Sequence, residues 1–228
     1  MRSFRAWPVL AALMCGCGSW SAETTAVEPL PVPILLPARI SFEETPSGQL
    51  PPGWRQVQTN RGAPVTWAVM ADAAAPDGKQ VLKLLETRNT GNTFNLLLNS
   101  AGEWPANLEL GVLLRADSGE EDQGGGLVWR AVDAANYYVT RWNPLESNLR
   151  IYTVVDGRRT MLASAHVDAD ARAWHALRVT ALGAHMLVAF DGRTLLEVED
   201  PTFSRSGGIG LWTKADAATS FDVLTARP

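Results

Sequence analysis

Between residues 39 and 228, apolar and polar residues alternate in short segments that turn-forming residues separate. In the segment 107–115, for example, Leu108, Leu110, Val112 and Leu114 fall on one side of an extended chain. This period of two predicts strands with one buried face. From residue 124 onward such segments recur at a spacing of roughly 8–12 residues, which is typical of sandwiches and barrels. No apolar pattern of helical period extends beyond two turns, so the pattern predicts an all-β fold.

Two Asp-Gly pairs, Asp156-Gly157 and Asp191-Gly192, each lie between two strand-like segments. Asp-Gly favours tight hairpins, because both central residues of the turn can adopt positive φ. Gly183 separates two further alternating segments in the same way. The sequence therefore predicts antiparallel neighbours along most of the second half of the chain.

The first residues are typical of an export signal, with Arg2 and Arg5 ahead of a short apolar run at 9–14 that cannot span a bilayer. The segment 13–17 is similar to a bacterial lipobox, with Gly16 before the cut and Cys17 as the lipidated residue. Met14 departs from the usual lipobox residue, and cleavage near 21–22 in an ordinary secreted protein is the alternative. The predicted organisation is a signal peptide over 1–17, a Pro-rich linker over 18–38, and one folded domain over 39–228.

The cysteine positions and the net charge exclude some kinds of chemistry and some classes of partner for this domain. Both cysteines lie in the predicted signal, so the mature chain needs no disulfide. The formal net charge is −4 and becomes more negative when Arg2 and Arg5 are removed. A mildly acidic domain is a poor match for nucleic acid, which requires a basic patch. The lipid anchor would be the only attachment to the membrane, and the export signal predicts a cell-envelope, secreted or periplasmic location.

Six segments resemble the concanavalin A-like lectin/glucanase superfamily. They are Gly125–Arg130, Asn136–Arg141, Asn148–Tyr152, Trp174–Val179, Phe190–Gly192 and Gly208–Thr213. Within that superfamily the chain is most similar to laminin G-like modules and to bacterial 3-keto-disaccharide hydrolase-like domains, which are related to family 16 glycoside hydrolases. The resemblance implies a jelly-roll sandwich of two curved antiparallel sheets, with ligands lying across the concave face.

Paired carboxylates are what a glycosidase would require. The Glu-x-Asp-x-x-Glu pattern of family 16 glycoside hydrolases is absent from the sequence. Glu197, Glu199 and Asp200 come nearest, and the acidic run 120–122 is interpreted as a solvated loop. We therefore assign no catalytic residue from the sequence.

Planar polar side chains and aromatic rings suit carbohydrate, because hydroxyl groups bind the former and sugar rings stack on the latter. The predicted ligand-binding residues are Arg130, Arg141, Asn143, Asn148, Arg150, Trp212 and Lys214. Alternation places Arg141 with Asn143 on one strand face; the alternative is that the polar group lines a solvated outer sheet. Of the nine tryptophans, those at 54, 67, 104 and 174 are predicted to lie in the core. For those at 129, 142 and 212, sequence context alone does not decide between the core and a ligand-binding surface.

Glu43 and Asp222 lie near the first and last strands, where jelly rolls of this superfamily often hold a structural calcium. Calcium is thus the one candidate cofactor, although it requires six or more oxygens and two surface acids are the alternative. The three histidines are scattered and do not have zinc-ligand spacing.

Together these features predict a non-catalytic carbohydrate-binding or adhesion module of the bacterial cell envelope. A sugar hydrolase of the 3-keto-disaccharide hydrolase-like type is the first alternative, and a structural protein-interaction module is the second. Two facing carboxylates in a concave groove would favour the hydrolase over the binding module.

Overall fold

The computed structural model describes residues 37–228, which form fifteen β-strands and no helix, so the predicted all-β class is confirmed. The strands are β1 (Ala38–Ile40), β2 (Trp54–Thr59), β3 (Thr66–Ala71), β4 (Gln80–Glu86), β5 (Phe94–Trp104), β6 (Leu108–Ser118), β7 (Gly125–Asp133), β8 (Asn136–Asn143), β9 (Asn148–Val155), β10 (Arg158–His166), β11 (His175–Leu182), β12 (His185–Phe190), β13 (Arg193–Glu199), β14 (Gly207–Lys214) and β15 (Ala218–Arg227). The predicted signal peptide, most of the predicted linker and the predicted lipidation residue Cys17 lie outside the described residues. Within residues 37–228 there is no membrane-spanning helix.

The strands form two antiparallel sheets. Sheet I has eight strands in the order β13-β12-β11-β6-β15-β4-β3, with β1 paired to β15. Sheet II has seven strands in the order β10-β9-β8-β7-β14-β5-β2. Successive strands β14 and β15 lie in different sheets, so the chain crosses repeatedly between the two layers. The fold is a concanavalin A-like jelly-roll sandwich.

The Asp-Gly hairpins form where the sequence predicts them. Asp156 and Gly157 have φ of 49° and 75° between β9 and β10, and Asp191 and Gly192 have φ of 47° and 78° between β12 and β13. Gly183, at φ 58°, closes the turn between β11 and β12. The residues in these turns have the left-handed backbone conformation, which Asp and Gly adopt at a lower cost than most residues.

The main core lies between the sheets. Sheet I contributes the alternating residues of β6 and β11, among them Leu110, Leu114 and Val179, and sheet II contributes Trp129 and Trp142. The predicted core tryptophans 54, 67 and 104 are buried, as expected. The prediction is wrong for Trp174, which is half-buried and donates its indole N–H to Ala74 O at 2.7 Å.

The opposite face of sheet II is also buried. We call it the groove face; its apolar residues form a second cluster that includes Leu96, Val128, Val139, Tyr152 and Trp212. No third sheet covers it in the described part of the chain, so its long side chains bury one another. The alternative of a solvated outer sheet is thereby wrong for this face.

Candidate functional site

Six of the seven predicted ligand-binding residues lie on the groove face, and five of them, all except Trp212, form one polar group there. Arg141 on β8 lies directly opposite Arg150 on β9, and Asn143 lies opposite Asn148. Lys214, at the end of β14, joins them through shared hydrogen-bond partners. Period-two alternation places each residue on one face of its own strand. The register between the strands then brings the residues together.

Glu146 holds the two opposed arginines together. It lies in the turn between β8 and β9, and its Oε2 accepts hydrogen bonds from Arg141 Nη2 at 3.1 Å, Arg150 Nη1 at 2.8 Å and Asn148 Nδ2 at 2.9 Å. Like charges directly opposite in a sheet repel, so this carboxylate is what makes the Arg141–Arg150 pair tolerable. Burial acts to raise the pKa of Glu146, but the hydrogen bond from Asn148 and the charge of Arg141 outweigh it and lower the pKa to about 2. The sequence does not predict that Glu146 contacts both arginines, because these contacts depend on the turn that brings its carboxylate back over both strands.

Asp122 is the second carboxylate of the site. Its Oδ2 accepts from Lys214 Nζ at 2.9 Å and its Oδ1 accepts from Asn143 Nδ2 at 3.0 Å. Only 1% of Asp122 is exposed, so the interpretation of run 120–122 as a solvated loop is wrong at this position. Burial raises the pKa of Asp122 above its ordinary value, against the charges of Arg141 and Lys214, which lower it. The Asp216 carboxylate fixes the loop by accepting the backbone N–H groups of residues 120, 121 and 122.

Arg141 itself is incompletely paired. It is 1% exposed, and although its Nη2 bonds Glu146, its Nε and Nη1 have no hydrogen-bond partner in the described residues. Asn148 Oδ1 on the same face is also without a partner, and the Tyr152 hydroxyl interacts with the Arg150 guanidinium. A buried polar group left unsatisfied costs about 1–3 kcal/mol. These donors and acceptors lie just beneath the surface of the groove face, so a polar ligand would satisfy them once neighbouring side chains move aside.

Trp212 lies on the groove face but is not exposed. Its indole N–H donates to Tyr137 Oη at 3.3 Å, and its ring lies 5.2 Å from that of Phe94. The guanidinium carbon of Arg159, on edge strand β10, is 5.7 Å from the Trp212 ring and 4.3 Å from the Tyr152 ring. The expected stacking platform is thus covered by an arginine side chain that sequence analysis did not select.

Arg130 does not join this group, which corrects the predicted grouping. It has φ of 48° at an irregularity in β7, and its guanidinium donates to Ala106 O at 2.9 Å, Phe203 O at 2.8 Å and Gly183 O at 2.7 Å. Its Nε, Nη1 and Nη2 each donate to one of these carbonyl oxygens. The irregularity shifts the alternation, so the side chain ties loops together instead of lying in the groove.

The predicted calcium ligands occupy a separate acidic region. Glu43 Oε1 accepts the backbone N–H groups of Lys79 at 3.1 Å and Gln80 at 2.8 Å. Asp222 is fully buried, and its Oδ2 accepts the N–H of Asp77 at 3.0 Å. Burial, with the charges of Asp77 and Glu43, raises the pKa of Asp222 to about 6. No group of three or more His, Cys, Asp or Glu side chains in residues 37–228 is arranged as a metal site, so carbonyl oxygens would have to complete a calcium shell.

The remaining acids considered as a catalytic pair lie elsewhere. Glu197 and Glu199 are exposed on edge strand β13 of sheet I. Glu197 Oε1 accepts a hydrogen bond from His185 Nε2 at 2.8 Å. Asp200 accepts the Tyr138 hydroxyl at 2.6 Å. None of the three lies on the groove face.

No family model matches the chain, and no curated protein matches it. Among solved structures, the fold is similar to the carbohydrate-binding module CBM66 from Bacillus subtilis, with 21% identity over 77% of this chain and 96% of that one, at a TM-score of 0.61. It is also similar to the cellulose-induced protein Cip1, with 11% identity over 83% and 96% of the two chains and a TM-score of 0.62. The GH43 BlXynB protein from Bacillus licheniformis matches with 16% identity over 83% of this chain and 39% of that chain, at a TM-score of 0.56. At these identities the similarities show a shared fold.

Proposed function

We propose that this protein is a non-catalytic carbohydrate-binding or adhesion module and that its glycan lies on the groove face. The observation that carries the proposal is the buried Arg141, with two unpartnered nitrogens on the same face as the unpartnered Oδ1 of Asn148. Sugar hydroxyl groups both donate and accept, so they could satisfy the arginine nitrogens and the asparagine oxygen at once. The shared fold with a carbohydrate-binding module supports this function.

The electrostatics of the groove favour binding over hydrolysis. A glycosidase requires one carboxyl group that carries a proton and one that does not. Glu146, with a pKa of about 2, stays ionised at neutral pH. Both oxygens of Asp122 are hydrogen-bonded, one to Lys214 and one to Asn143. Neither carboxylate is therefore a free proton donor.

A sugar hydrolase of the 3-keto-disaccharide hydrolase-like type is the second candidate. The observations in its favour are the raised pKa of Asp122 and the fold shared with the GH43 protein. Incubating the chain with oligosaccharides and following reducing ends separates the two functions. Turnover that Asp122→Asn abolishes would favour the hydrolase, whereas binding without turnover favours the module.

The binding test is a polysaccharide screen followed by calorimetry on Arg141→Ala. We expect a micromolar-to-millimolar ligand, roughly −4 to −8 kcal/mol, and a loss of about tenfold or more in the variant. Arg193→Ala is the matched control, since Arg193 is exposed on the edge of sheet I. Unchanged affinity in Arg141→Ala would place the ligand elsewhere, and a chain that binds no glycan would favour a protein-interaction module.

We further propose attachment to the cell envelope through lipidated Cys17. The support is the Gly16-Cys17 pair at the end of the short apolar run. Cys17→Ala should move the protein from the membrane to the soluble fraction. Retention of the mature variant in the membrane would contradict the anchor.

A further inference from the structure

Three loops border a cavity of about 500 Å³ beside the β9–β10 hairpin. Its lining residues are Asn60, Asn92, Phe94, Gly157, Arg158 and Arg159. Two of the six are arginines and none is acidic, in a chain whose formal net charge is −4. Asp156 precedes Gly157 in the sequence but does not line the cavity. The cavity is thus a local positive region on an acidic protein.

The walls of this cavity are held in place by Asn60. Its Nδ2 donates to Asn92 O at 2.8 Å and to Gly157 O at 3.3 Å, so one side chain connects all three loops. Asn60 and Gly157 both have positive φ, at 65° and 75°. A Cβ on Gly157 would lie 2.8 Å from Asn60 Oδ1, so the close approach requires glycine. The cavity is therefore formed before any ligand arrives.

Arg159 is a cation of the groove face whose guanidinium is not neutralised by an ion pair within residues 37–228. Arg141, Arg150 and Lys214 each pair with a carboxylate. Arg159 forms no ion pair with any residue in 37–228, its Nη1 has no acceptor, and its guanidinium instead lies over Tyr152, Phe94 and Trp212. Burial lowers the pKa of Arg159 and the charge of Arg141 acts in the same direction, whereas Tyr152 and the more distant carboxylates of Asp122 and Glu146 act to raise it. Nη1 is itself buried, so an anion in the cavity would pair with the guanidinium through the part of the Arg159 side chain that lines the cavity.

We propose that this cavity binds the acidic group of a sugar, a uronate carboxylate or a sulfate ester, so that the ligand is an acidic polysaccharide. The inference rests on the proposed glycan-binding function and names the class of glycan. Arginine suits the task because its planar fork of donors matches carboxylate and sulfate oxygens bidentately. Asn60 and Asn92 line the same cavity and supply amide groups that can bind the hydroxyl groups of the sugar.

The experiment compares charged and neutral forms of the same sugar chain by calorimetry on the full chain. Polygalacturonate oligomers against their methyl esters test a carboxylate, and dextran sulfate against dextran tests a sulfate. We expect at least one charged form to bind about tenfold or more tightly than its neutral form, with affinity that falls as NaCl rises from about 50 to about 500 mM. Arg159→Gln should lose about tenfold for the charged form and leave binding of the neutral form within about twofold.

Arg193→Gln, on the edge of the other sheet, is the matched control and should change neither affinity. Equal binding of charged and neutral forms, or an Arg159→Gln variant with unaltered preference, would overturn the acidic-ligand inference. If neutral glycans bind through Arg141 while acidic ones do not, this inference fails and the proposed function stands. If neither class binds, both fail.

Discussion

Arg130 and Arg141 are both almost completely buried in sheet II, yet the two regions around them differ in what they leave unsatisfied. Arg130 donates to three backbone carbonyls from three different loops. Arg141 makes one hydrogen bond to Glu146 and has two nitrogens without a partner. Burial of an arginine therefore does not by itself indicate its role; the number of its donors that the fold satisfies does.

The energetic consequence follows from this count. In the Arg130 region the guanidinium stabilises the fold, because three backbone carbonyl oxygens would lose a hydrogen-bond donor without it. Burial lowers the pKa of Arg130, and no carboxylate within 4.0 Å in the described residues offsets that cost. In the Arg141 region the fold retains unpaired donors that only an added partner can satisfy. We expect stability to depend on the first region and binding on the second.

The largest expected effect is on folding. Arg130→Met should lower the free energy of unfolding by about 3 kcal/mol or more, since it removes three hydrogen bonds from a charged donor. Urea unfolding gives the value, with Arg193→Met as the exposed control. Glycan affinity, measured while the variant is folded, should stay at the wild-type value. A variant as stable as wild type would remove the distinction between the two arginines.

The second effect is on binding at the groove face. Arg141→Lys keeps the charge that Glu146 requires but loses the planar fork, so we expect about tenfold weaker glycan binding. The free energy of unfolding should change by less than about 1 kcal/mol, because the replaced side chain made a single protein hydrogen bond. Calorimetry and thermal melting report the two quantities. Wild-type affinity in this variant would mean that charge alone recruits the ligand.

A smaller effect concerns pH and Glu146. Its pKa is lowered to about 2 in the folded chain, so its ionised form stabilises the fold above about pH 4.5 and that contribution is lost as pH falls toward 2. Because 41% of the side chain is exposed, solvent screening keeps the expected contribution near 1 kcal/mol. Glu146→Gln should be less stable than wild type at pH 7 and equal to it near pH 2. A difference that does not depend on pH would mean that hydrogen bonding, not charge, carries the interaction.

The smallest effect has the opposite sign and tests the calcium proposal. The raised pKa of Asp222, about 6, means that its ionisation weakens the fold as pH rises from about 4 through 6. A divalent cation at Glu43 and Asp222 would offset this, so Ca²⁺ should raise Tm at pH 7 by a few degrees and have less effect at pH 5. Asp222→Asn should abolish the Ca²⁺ response. An equal response in wild type and variant would contradict a site at these residues.

The alternation of apolar residues and the Asp-Gly pairs were enough to predict the strands and hairpins, because strand periodicity and left-handed turn residues are local properties. They also placed Arg141 with Asn143 on one face of their strand. The same reasoning misplaced Arg130, where an irregularity in β7 breaks the alternation. It also predicted that Asp122 is exposed to solvent, although a loop held by Asp216 buries that side chain.

By itself, then, the sequence determined the fold class and, wherever a strand is regular, which side chains share a strand face, since each depends on neighbouring residues alone. Only the tertiary structure decided which faces meet, which charges are neutralised and which donors stay unpaired. Those properties depend on contacts between residues far apart in the chain, such as Lys214 with Asp122 or Arg159 with Phe94. A side chain's neighbours in space, and not its neighbours in sequence, set its desolvation and its partners.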